Sequence, residues 1–416
     1  MEHLQTAPEL AAGLKALPQA ATAFASTQAA WRFLANPRVT LPQLAAPLHA
    51  AARQAPPGPG GYALVVHDWS SLNYPTHAGK RDQATLSHGR DRGYELATAL
   101  LVETAAGRPV APLELRLRAA DAVYSTRAPA PAAGATRQDE VLPTMRAVAA
   151  LGLAATPVHV IDREADSVGH YRGWLADGRL FLVRADAARR VRWGGQAVLL
   201  PQVVAGLAWA GCREVEIRGR RARQWVAEAA VVLDRPAKPK RARGGGPRRP
   251  VPGEPLPLRL VASQVRDEAG AVLAEWLLLT NLPAAVPAAE VALWYYWRWR
   301  VETFFRLLKS AGQQVERWQQ ETGAAIAKRL LVAAMACVVV WQLARSREPE
   351  AAPLRRLLVR LSGRQMGRGV EFTEPALLAG LMVLVPMLEV LADHDLDDLR
   401  RLAQQAVPIL RPPDSG

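Results

Sequence analysis

The sequence has few cysteines, few aromatic residues and no long apolar run. Only two of its 416 residues are cysteines, Cys212 and Cys337, which excludes a disulfide framework and a thiolate zinc site. The longest apolar run, Leu330–Trp341, is well short of the roughly 20 residues that cross a membrane, which predicts a buried helix. The first twenty residues lack a basic segment followed by an apolar block, which predicts no signal peptide. We therefore expect a soluble, cytoplasmic protein.

Acidic charge is also scarce relative to basic charge. The 52 Lys and Arg residues against 38 Asp and Glu residues leave a net charge of +14. Nucleic acid, an anionic membrane surface and a solvated basic surface all fit such an excess. Residues 213–249 alone carry twelve basic residues against four acidic ones. Within them, Arg235–Pro250 has seven basic residues and no acid, which predicts a flexible loop that binds phosphates.

Two short apolar runs each end on an acidic residue. The run from Tyr62 ends at Asp68, and the run from Pro157 ends at Asp162. This pattern is typical of buried strands in a parallel or mixed sheet. Further short apolar segments follow Asp162, so we expect a strand-rich stretch before the chain turns helical at Ala288.

The helix that begins near Val291 carries a polar stripe. We expect helical structure to continue from Ala288 through Arg345. On an α-helix advancing about 100° per residue, the stripe falls within an arc of about 60°. Its members are Tyr295, Arg298, Glu302 and Lys309. A carboxylate flanked by cationic and hydroxyl groups suits a site where a metal-bound acid lies beside phosphates.

Together, Asp68, Asp162 and Glu302 are three hard oxygen ligands at the ends of two strands and on a later helix. Three such groups can hold two divalent cations, which activate the attacking oxygen and stabilise the leaving oxygen in phosphodiester chemistry. Either aspartate alone would be an ordinary acid at a strand end. Glu302 alone could form a surface ion pair with Arg298 or Arg306.

Three motifs resemble those of the bacterial DDE transposases of the Tn-five type, within the IS-four group of insertion sequences. They are VHDWSSLNY at 66–74, VIDREADS at 160–167 and WYYWRWRVETFFRLLK at 294–309. The segments ATAFASTQAAWRFLANP and EWLLLTNLP add to the similarity, which extends from about residue 20 to 345.

The resemblance implies an α/β fold, with an RNase H-like catalytic core, a β-rich insertion and flanking helical regions. Residues 1–58 would be a helical N-terminal DNA-binding region, shorter than in the family. Residues 59–345 would be the catalytic domain, with its basic β-rich insertion at about 185–285. Residues 346–416 would be a helical region, a candidate for dimerisation.

In such transposases the three acids bind Mg²⁺, for which Mn²⁺ can substitute, and catalyse cut-and-paste transposition. Carried over by motif position, Asp68, Asp162 and Glu302 are the catalytic metal ligands. The implied DNA contacts are Tyr295, Arg298, Lys309, Arg163, Trp276 and Trp299. Trp276 corresponds to a residue that receives a flipped-out base in the family, and Trp299 matches a tryptophan beside the same site. The implied partners are double-stranded DNA, as transposon ends and target, and a second copy of the chain in a synaptic homodimer; no membrane partner is expected.

Other readings remain open at the level of sequence. The chain could be a truncated, catalytically silent derivative that binds DNA or inhibits a full-length transposase. It could also be a general RNase H-like nuclease. Without the resemblance, Trp276 would be read as a core aromatic, and for Trp299 a core position and a site position are equally compatible with the sequence.

Overall fold

The computed structural model describes residues 20–86, 91–132, 136–217, 220–238, 250–309 and 312–409. Most of the predicted basic loop, residues 239–249, lies outside the described residues, as do residues 1–19 of the predicted N-terminal region.

The described residues form two compact units. The larger one, called the sheet unit here, comprises Leu34–Phe305 and Gln319–Leu331. The smaller one, the helical unit, comprises the described parts of Met1–Phe33, Arg306–Trp318 and Val332–Gly416. The chain is thus a mixed α/β protein with one large sheet and many helices. The domain boundaries expected at residues 58 and 345 stay predictions.

The sheet unit contains a 13-stranded sheet. The strands are β1 (Tyr62–Asn73), β2 (Ala84–Thr85), β3 (Arg92–Glu103), β4 (Pro109–Arg118), β5 (Val123–Ser125), β6 (Thr156–Ile161), β7 (Leu180–Arg184), β8 (Arg190–Trp193), β9 (Gln196–Leu199), β10 (Ala210–Ile217), β11 (Arg220–Leu233), β12 (Leu256–Arg266) and β13 (Val272–Thr280). Their order is β5-β4-β3-β1-β6-β7-β13-β12-β11-β8-β9, with β10 beside β11 and β2 beside β3.

The helices divide between the two units. They are α1 (Ala20–Ala35), α2 (Leu41–Arg53), α3 (Val141–Ala150), α4 (Val168–Ala176), α5 (Leu200–Ala205), α6 (Ala288–Tyr296), α7 (Arg300–Leu308), α8 (Gly323–Arg345), α9 (Ala351–Leu361), α10 (Glu374–Asp393) and α11 (Leu396–Ile409). Helix α3 follows the antiparallel strands β3, β4 and β5, and α4 connects β6 to β7.

The strands next to β1 run in two different ways. β3 pairs with β1 antiparallel along Ala63–Asn73, whereas β6 pairs with β1 in parallel from Tyr62 to Val66. β7 continues the parallel arrangement beside β6. Buried Val and Leu side chains fill β1 before its acidic residue, as expected for a strand covered on both faces. This centre of the sheet is what positions the candidate site.

The strand-rich stretch predicted after Asp162 is confirmed. Strands β10 to β13 pair antiparallel in sequence order, and β13 joins this part of the sheet to β7. Leu258, Leu260 and Leu279 pack with side chains from α4 and α5 in one hydrophobic core. The small strands β8 and β9 and the helix α5 were not predicted, because each is only four to six residues long.

The region from Ala288 through Arg345 is helical as predicted, but the helix that carries the polar stripe is interrupted. Helix α6 ends at Tyr296, a 3-10 turn covers Trp297–Trp299, and α7 begins at Arg300. A second interruption follows Leu308, where Gln314 adopts a left-handed backbone conformation with φ of 49°. A left-handed residue cannot continue a right-handed helix. The polar stripe therefore cannot be laid out on one uniform helix.

Apolar residues fill the long helix α8, as the sequence predicted. Its Leu330, Val340 and Trp341 side chains are each at most 3% exposed. Helices α8 and α10 are both long and apolar enough to cross a membrane by length and composition, and α8 is mostly buried within the protein. Helix α10 instead exposes apolar side chains, among them Val383 and Leu388, which are 41% and 50% exposed. The described part of the helical region expected at 346–416 consists of three helices, α9, α10 and α11.

Candidate active site

The register of two parallel strands brings Asp68 beside Asp162. Each paired residue of β1 matches a residue of β6 that is 94 positions later, up to Val66 and Val160. Asp68 and Asp162 are also 94 positions apart, so they lie two places beyond this last pair. The carboxyl ends of neighbouring parallel strands meet at one edge of the pairing, where ligand sites of open α/β sheets are found.

Asp68 does not end its strand, which corrects the sequence-based prediction. β1 continues to Asn73 by pairing with β3, and Asp68 lies opposite Thr98. Only the pairing with β6 stops before Asp68. The acid is therefore held by one neighbouring strand while its other side opens towards the end of β6.

Asp162 caps the short 3-10 turn that follows β6. Its Oδ1 accepts a hydrogen bond from the Glu164 backbone N at 2.8 Å. The same turn is anchored by Asp166, whose carboxylate is 2% exposed and accepts hydrogen bonds from the Tyr171 hydroxyl and from Arg189. The motif VIDREADS thus contains one acid that faces the site and a second that fixes the turn.

Arg298 joins the helical acid to the strand acid. Its Nη1 donates to Asp68 Oδ2 at 2.8 Å, and its Nη2 donates to Glu302 Oε1 at 3.3 Å. The guanidinium is 11% exposed, as against 14% for the Asp68 side chain and 44% for Glu302. Charge-assisted hydrogen bonds to two carboxylates are strong in such a setting. The structure therefore brings together residues of two motifs that lie far apart in the sequence.

The acids of the cluster interact electrostatically. Burial raises the pKa of the Asp68 carboxyl, Arg298 opposes that rise, and the charge of Asp162 adds to it. Burial also raises the pKa of Glu302, with contributions of the same sign from Asp68 and Asp162. Burial disfavours the charge of Arg298, but the surrounding anionic groups outweigh it and raise the guanidinium pKa. The cluster therefore carries more negative charge than one arginine neutralises.

Tyr295 and Trp276 lie beside this cluster. Tyr295 is buried. Burial raises the pKa of its hydroxyl, and the charges of Arg298 and Arg184 oppose that rise without cancelling it. The rings of Trp276 and Tyr295 are 6.4 Å apart between centroids. Arg184 is a neighbour that sequence reasoning missed. Its position could have indicated this role, because Arg184 is the last residue of β7, the third parallel strand at this edge.

The remaining predicted residues occupy different positions. Trp299 is 48% exposed, with its ring 5.7 Å from the Arg298 guanidinium carbon. Arg163 is exposed and follows Asp162 directly. Lys309 belongs to the helical unit, where its ammonium forms an ion pair with Glu316 at 3.3 Å.

Trp297 fixes the 3-10 turn that carries Arg298. Its indole lies against the backbone of Gly107 in the turn between β3 and β4. A Cβ at Gly107 would lie 2.3 Å from the indole ring, and the glycine has a φ of +64°. The turn therefore requires glycine for two reasons, close approach and a left-handed backbone. This contact ties the position of Arg298 to the sheet.

A buried polar network lies on the other side of Asp68. A small cavity there is lined by His67, Glu114, Arg116 and Glu140. Arg116 and Glu140 form an ion pair of 3.7 Å, and Arg127 joins Glu140 to Glu114. Such networks hold backbone elements in fixed relative positions when their members are paired.

His67 and His159 form a buried pair between β1 and β6. The His67 Nε2 and His159 Nδ1 atoms are 2.8 Å apart. Burial, followed by the charge of Arg116, lowers the pKa of His67 to about 3, and burial lowers that of His159 as well. Both rings are therefore neutral at physiological pH, and the pair links the two strands that carry the aspartates.

The three carboxylates fit a divalent cation by their chemistry. Carboxylate oxygens are the ligands that Mg²⁺ and Mn²⁺ prefer. In the conformation seen, Arg298 lies between Asp68 and Glu302. Within the described part of the chain, no group of three or more His, Cys, Asp or Glu residues is arranged to hold a metal ion. Carboxylate oxygens are thus the type of ligand that the expected cofactor needs. In this conformation, however, two of the three carboxylates pair with the guanidinium.

Comparisons with known proteins give structural similarity but no sequence match. No protein-family model matches the sequence, and no curated protein matches it. Among solved structures, the chain is similar to the piggyBac transposase in a synaptic complex with hairpin DNA, with a TM-score of 0.38 and 8% sequence identity. The similarity covers 89% of this chain, which spans 61% of the piggyBac transposase chain.

Proposed function

We propose that this chain is a DNA transposase of the DDE type, which cuts a mobile element from double-stranded DNA and joins it to a target. The observations that carry the proposal are the pairing of Arg298 with both Asp68 and Glu302 and the β1–β6 register, by which Asp162 follows the strand beside Asp68. Their three motifs lie far apart in the sequence, and no property of composition requires the acids to meet. Convergence of acids at one sheet edge supports phosphodiester chemistry.

The strand order supports an RNase H-like catalytic core. Three antiparallel strands, β4, β3 and β1, are followed by two parallel strands, β6 and β7, with helices in the connections. The first acid lies on the central strand β1 and the second follows its parallel neighbour β6. The antiparallel strands β8 to β13 correspond to the β-rich insertion expected between Asp162 and Glu302.

In this proposal Asp68, Asp162 and Glu302 hold Mg²⁺, for which Mn²⁺ can substitute. The bound cations would supply activation of an attacking oxygen and stabilisation of a leaving oxygen.

The chain's own side chains would bind and orient the DNA. Arg163 and Arg298 supply guanidinium groups for phosphates, and Tyr295 supplies a hydroxyl at the same edge. Trp299 exposes an aromatic face next to the acids, and Trp276 lies beside Tyr295, so both suit the stacking of an extruded base. Lys309 is proposed as a phosphate contact on the motif alone.

The net charge of +14 supports double-stranded DNA as the partner, both as element ends and as target. A homodimer in the DNA complex and a cytoplasmic location belong to the same proposal. The exposed apolar side chains of α10 support a homodimer, since such surfaces mark interaction sites. A catalytically silent derivative is less favoured, because all three carboxylates are present and clustered.

The test is cleavage of DNA that carries the element's own terminal inverted repeats. We expect the purified chain to nick such DNA with Mg²⁺ or Mn²⁺ and Glu302→Gln to lose at least about a thousandfold of this rate, as for removal of a group that acts in the transition state. Glu268→Gln, which changes an exposed acid of the same unit, is the matched control and should retain activity.

Three outcomes separate the functions. Failure of the wild-type chain to cut the repeats, or equal cutting by Glu302→Gln, contradicts the proposal. Equal cutting of DNA without the repeats indicates a general nuclease. Inhibition of a full-length relative without cutting indicates a silent derivative.

A further inference from the structure

Arg298 pairs with carboxylates that are proposed to bind a metal cation. It pairs with Asp68 across 230 positions of sequence and with Glu302 across four. These are two of the three acids in the cluster. A cation bound by the same oxygens needs the lone pairs that these hydrogen bonds use.

The guanidinium is incompletely satisfied where it lies. Its Nε is buried and has no hydrogen-bond acceptor among the described residues, while Nη1 and Nη2 are used by the two carboxylates. A buried unpaired N–H group costs free energy. This position is therefore held by the attraction of the carboxylates and not by a complete set of hydrogen bonds.

The charges also leave a place for a cation of higher charge. One guanidinium contributes a single positive charge to a cluster of three carboxylates, and the cluster keeps a residual attraction for cations. In this conformation the exposed ring of Trp299 lies 5.7 Å from the guanidinium carbon of Arg298. The ring is therefore a neighbouring surface for the guanidinium when Arg298 is not paired with the carboxylates. An arginine freed at this edge would be available to a DNA phosphate.

We infer that Arg298 is an internal counter-ion that competes with the divalent cation for Asp68 and Glu302. The arginine holds the carboxylates together in the metal-free protein, and cation binding requires that its ion pairs with them break. The inference rests on the proposed function, because it assumes that the carboxylates bind a divalent cation. It makes Arg298 a determinant of cation affinity, in addition to a phosphate contact.

The experiment is calorimetric titration of the full chain with Mn²⁺ in the absence of DNA. We compare wild type with Arg298→Gln, which removes the charge, and with Arg298→Lys, which keeps the charge but loses the fork geometry. Arg300→Gln is the matched control, since Arg300 is the next arginine along the chain and forms no ion pair with Asp68 or Glu302 within the described residues. Glu302→Gln reports whether the titrated site is the carboxylate cluster.

Arg298→Gln is expected to bind Mn²⁺ about tenfold more tightly than wild type, a change that corresponds to about 1.4 kcal/mol. Arg298→Lys should fall between the two, and Arg300→Gln should match wild type. Unchanged or weaker binding by Arg298→Gln, with wild-type binding that Glu302→Gln abolishes, overturns the inference and leaves the proposed function standing. Absence of Mn²⁺ binding in every variant overturns both.

A second measurement covers the case in which Arg298→Gln unfolds during titration. In EDTA, thermal unfolding of Arg298→Gln should occur at a lower temperature than that of wild type, because the carboxylates lose their counter-ion. Mn²⁺ should raise the unfolding temperature of the variant more than that of wild type, by mass action. An equal rise in both proteins contradicts the competition.

Discussion

Asp68 and Arg298 are 230 positions apart in the sequence, and a hydrogen bond of 2.8 Å joins Arg298 Nη1 to Asp68 Oδ2. Glu302 accepts from the same guanidinium at 3.3 Å, but its side chain is 44% exposed, as against 14% for Asp68. The two carboxylates should therefore contribute differently to stability, although both belong to the candidate active site.

We predict that Asp68→Asn lowers the free energy of unfolding by about 3 kcal/mol, because the buried guanidinium loses its buried carboxylate partner and keeps only the more exposed Glu302. Glu302→Gln should cost less than about 1 kcal/mol, since solvent screens the pair it removes. Urea unfolding in EDTA measures both. Equal losses would show that the buried pair contributes no more to the free energy of unfolding than the exposed pair.

Asp166 should matter more for folding than its neighbours in the sequence. Its buried carboxylate accepts from Tyr171 and Arg189 and from the Asp186 backbone N. We predict that Asp166→Asn lowers the free energy of unfolding by about 3 kcal/mol, the cost of breaking a buried ion pair. Asp234→Asn, which breaks a solvent-exposed pair with Arg192, is the control and should cost less than about 1 kcal/mol. A smaller loss for Asp166→Asn than for the control would refute this assignment.

The histidine pair should make the sheet unit sensitive to acid. The pKa of His67 is about 3 in the folded protein, below the ordinary value of 6.5. Between these values the unfolded chain binds a proton that the folded chain does not, so stability is full above pH 6.5 and falls as the pH decreases towards 3. We predict that His67→Gln reduces this loss by up to about 1.4 kcal/mol per pH unit below 6.5. Urea unfolding from pH 7.5 to 4.5 checks this, and parallel stability curves for both proteins would contradict it.

Trp299 should contribute to DNA binding and little to stability. It is 48% exposed, and base stacking on an aromatic ring is worth about 1–3 kcal/mol. We predict that Trp299→Ala weakens binding to DNA with unpaired bases by about tenfold or more while the free energy of unfolding changes by less than about 1 kcal/mol. Tyr296→Ala, which removes a neighbouring aromatic that is 45% exposed, is the control. Equal effects of the two changes would remove the special role of Trp299.

The basic segment 239–249 should be removable without unfolding the protein. Its flanks are joined by backbone hydrogen bonds between Ala237 and Val251, and Arg172 donates to the carbonyls of Arg235 and Gly253. We predict that replacing 239–249 with a short glycine linker leaves the unfolding temperature unchanged. The slope of log affinity for DNA against log salt should become shallower by about one to four, because five basic residues are removed. An unchanged slope would mean that the segment does not contact phosphates.

The sequence carried enough information to predict the longer strands and to select three acids as candidates. Short apolar runs before Asp68 and Asp162 predicted two buried strands, and the strand-rich stretch before Ala288 was also predicted, because burial and side-chain alternation are local properties of the sequence. The structure confirms those strands and brings the acids together. Their metal-binding and catalytic roles stay predictions.

Other features depend on tertiary contacts that no local pattern encodes. The continuation of β1 past Asp68 follows from pairing with β3, and the break at Trp297 accompanies its packing against Gly107. A uniform helical projection placed Lys309 with the polar stripe, whereas its contacts assign it to the helical unit. The ion pair of Arg298 with Asp68 could not be predicted either, because the stripe suggested only that Arg298 lies near Glu302.

The parallel register of β1 and β6 has a consequence for recognising relatives of this chain. Residues inserted between Asn73 and Thr156, outside the strands, would alter the separation of 94 positions without moving either aspartate. One residue inserted within either strand would instead turn its acid to the opposite face of the sheet. The spacing of the acids along the sequence is therefore free to drift among relatives. Their distance from the last β1–β6 pair is what natural variation must preserve.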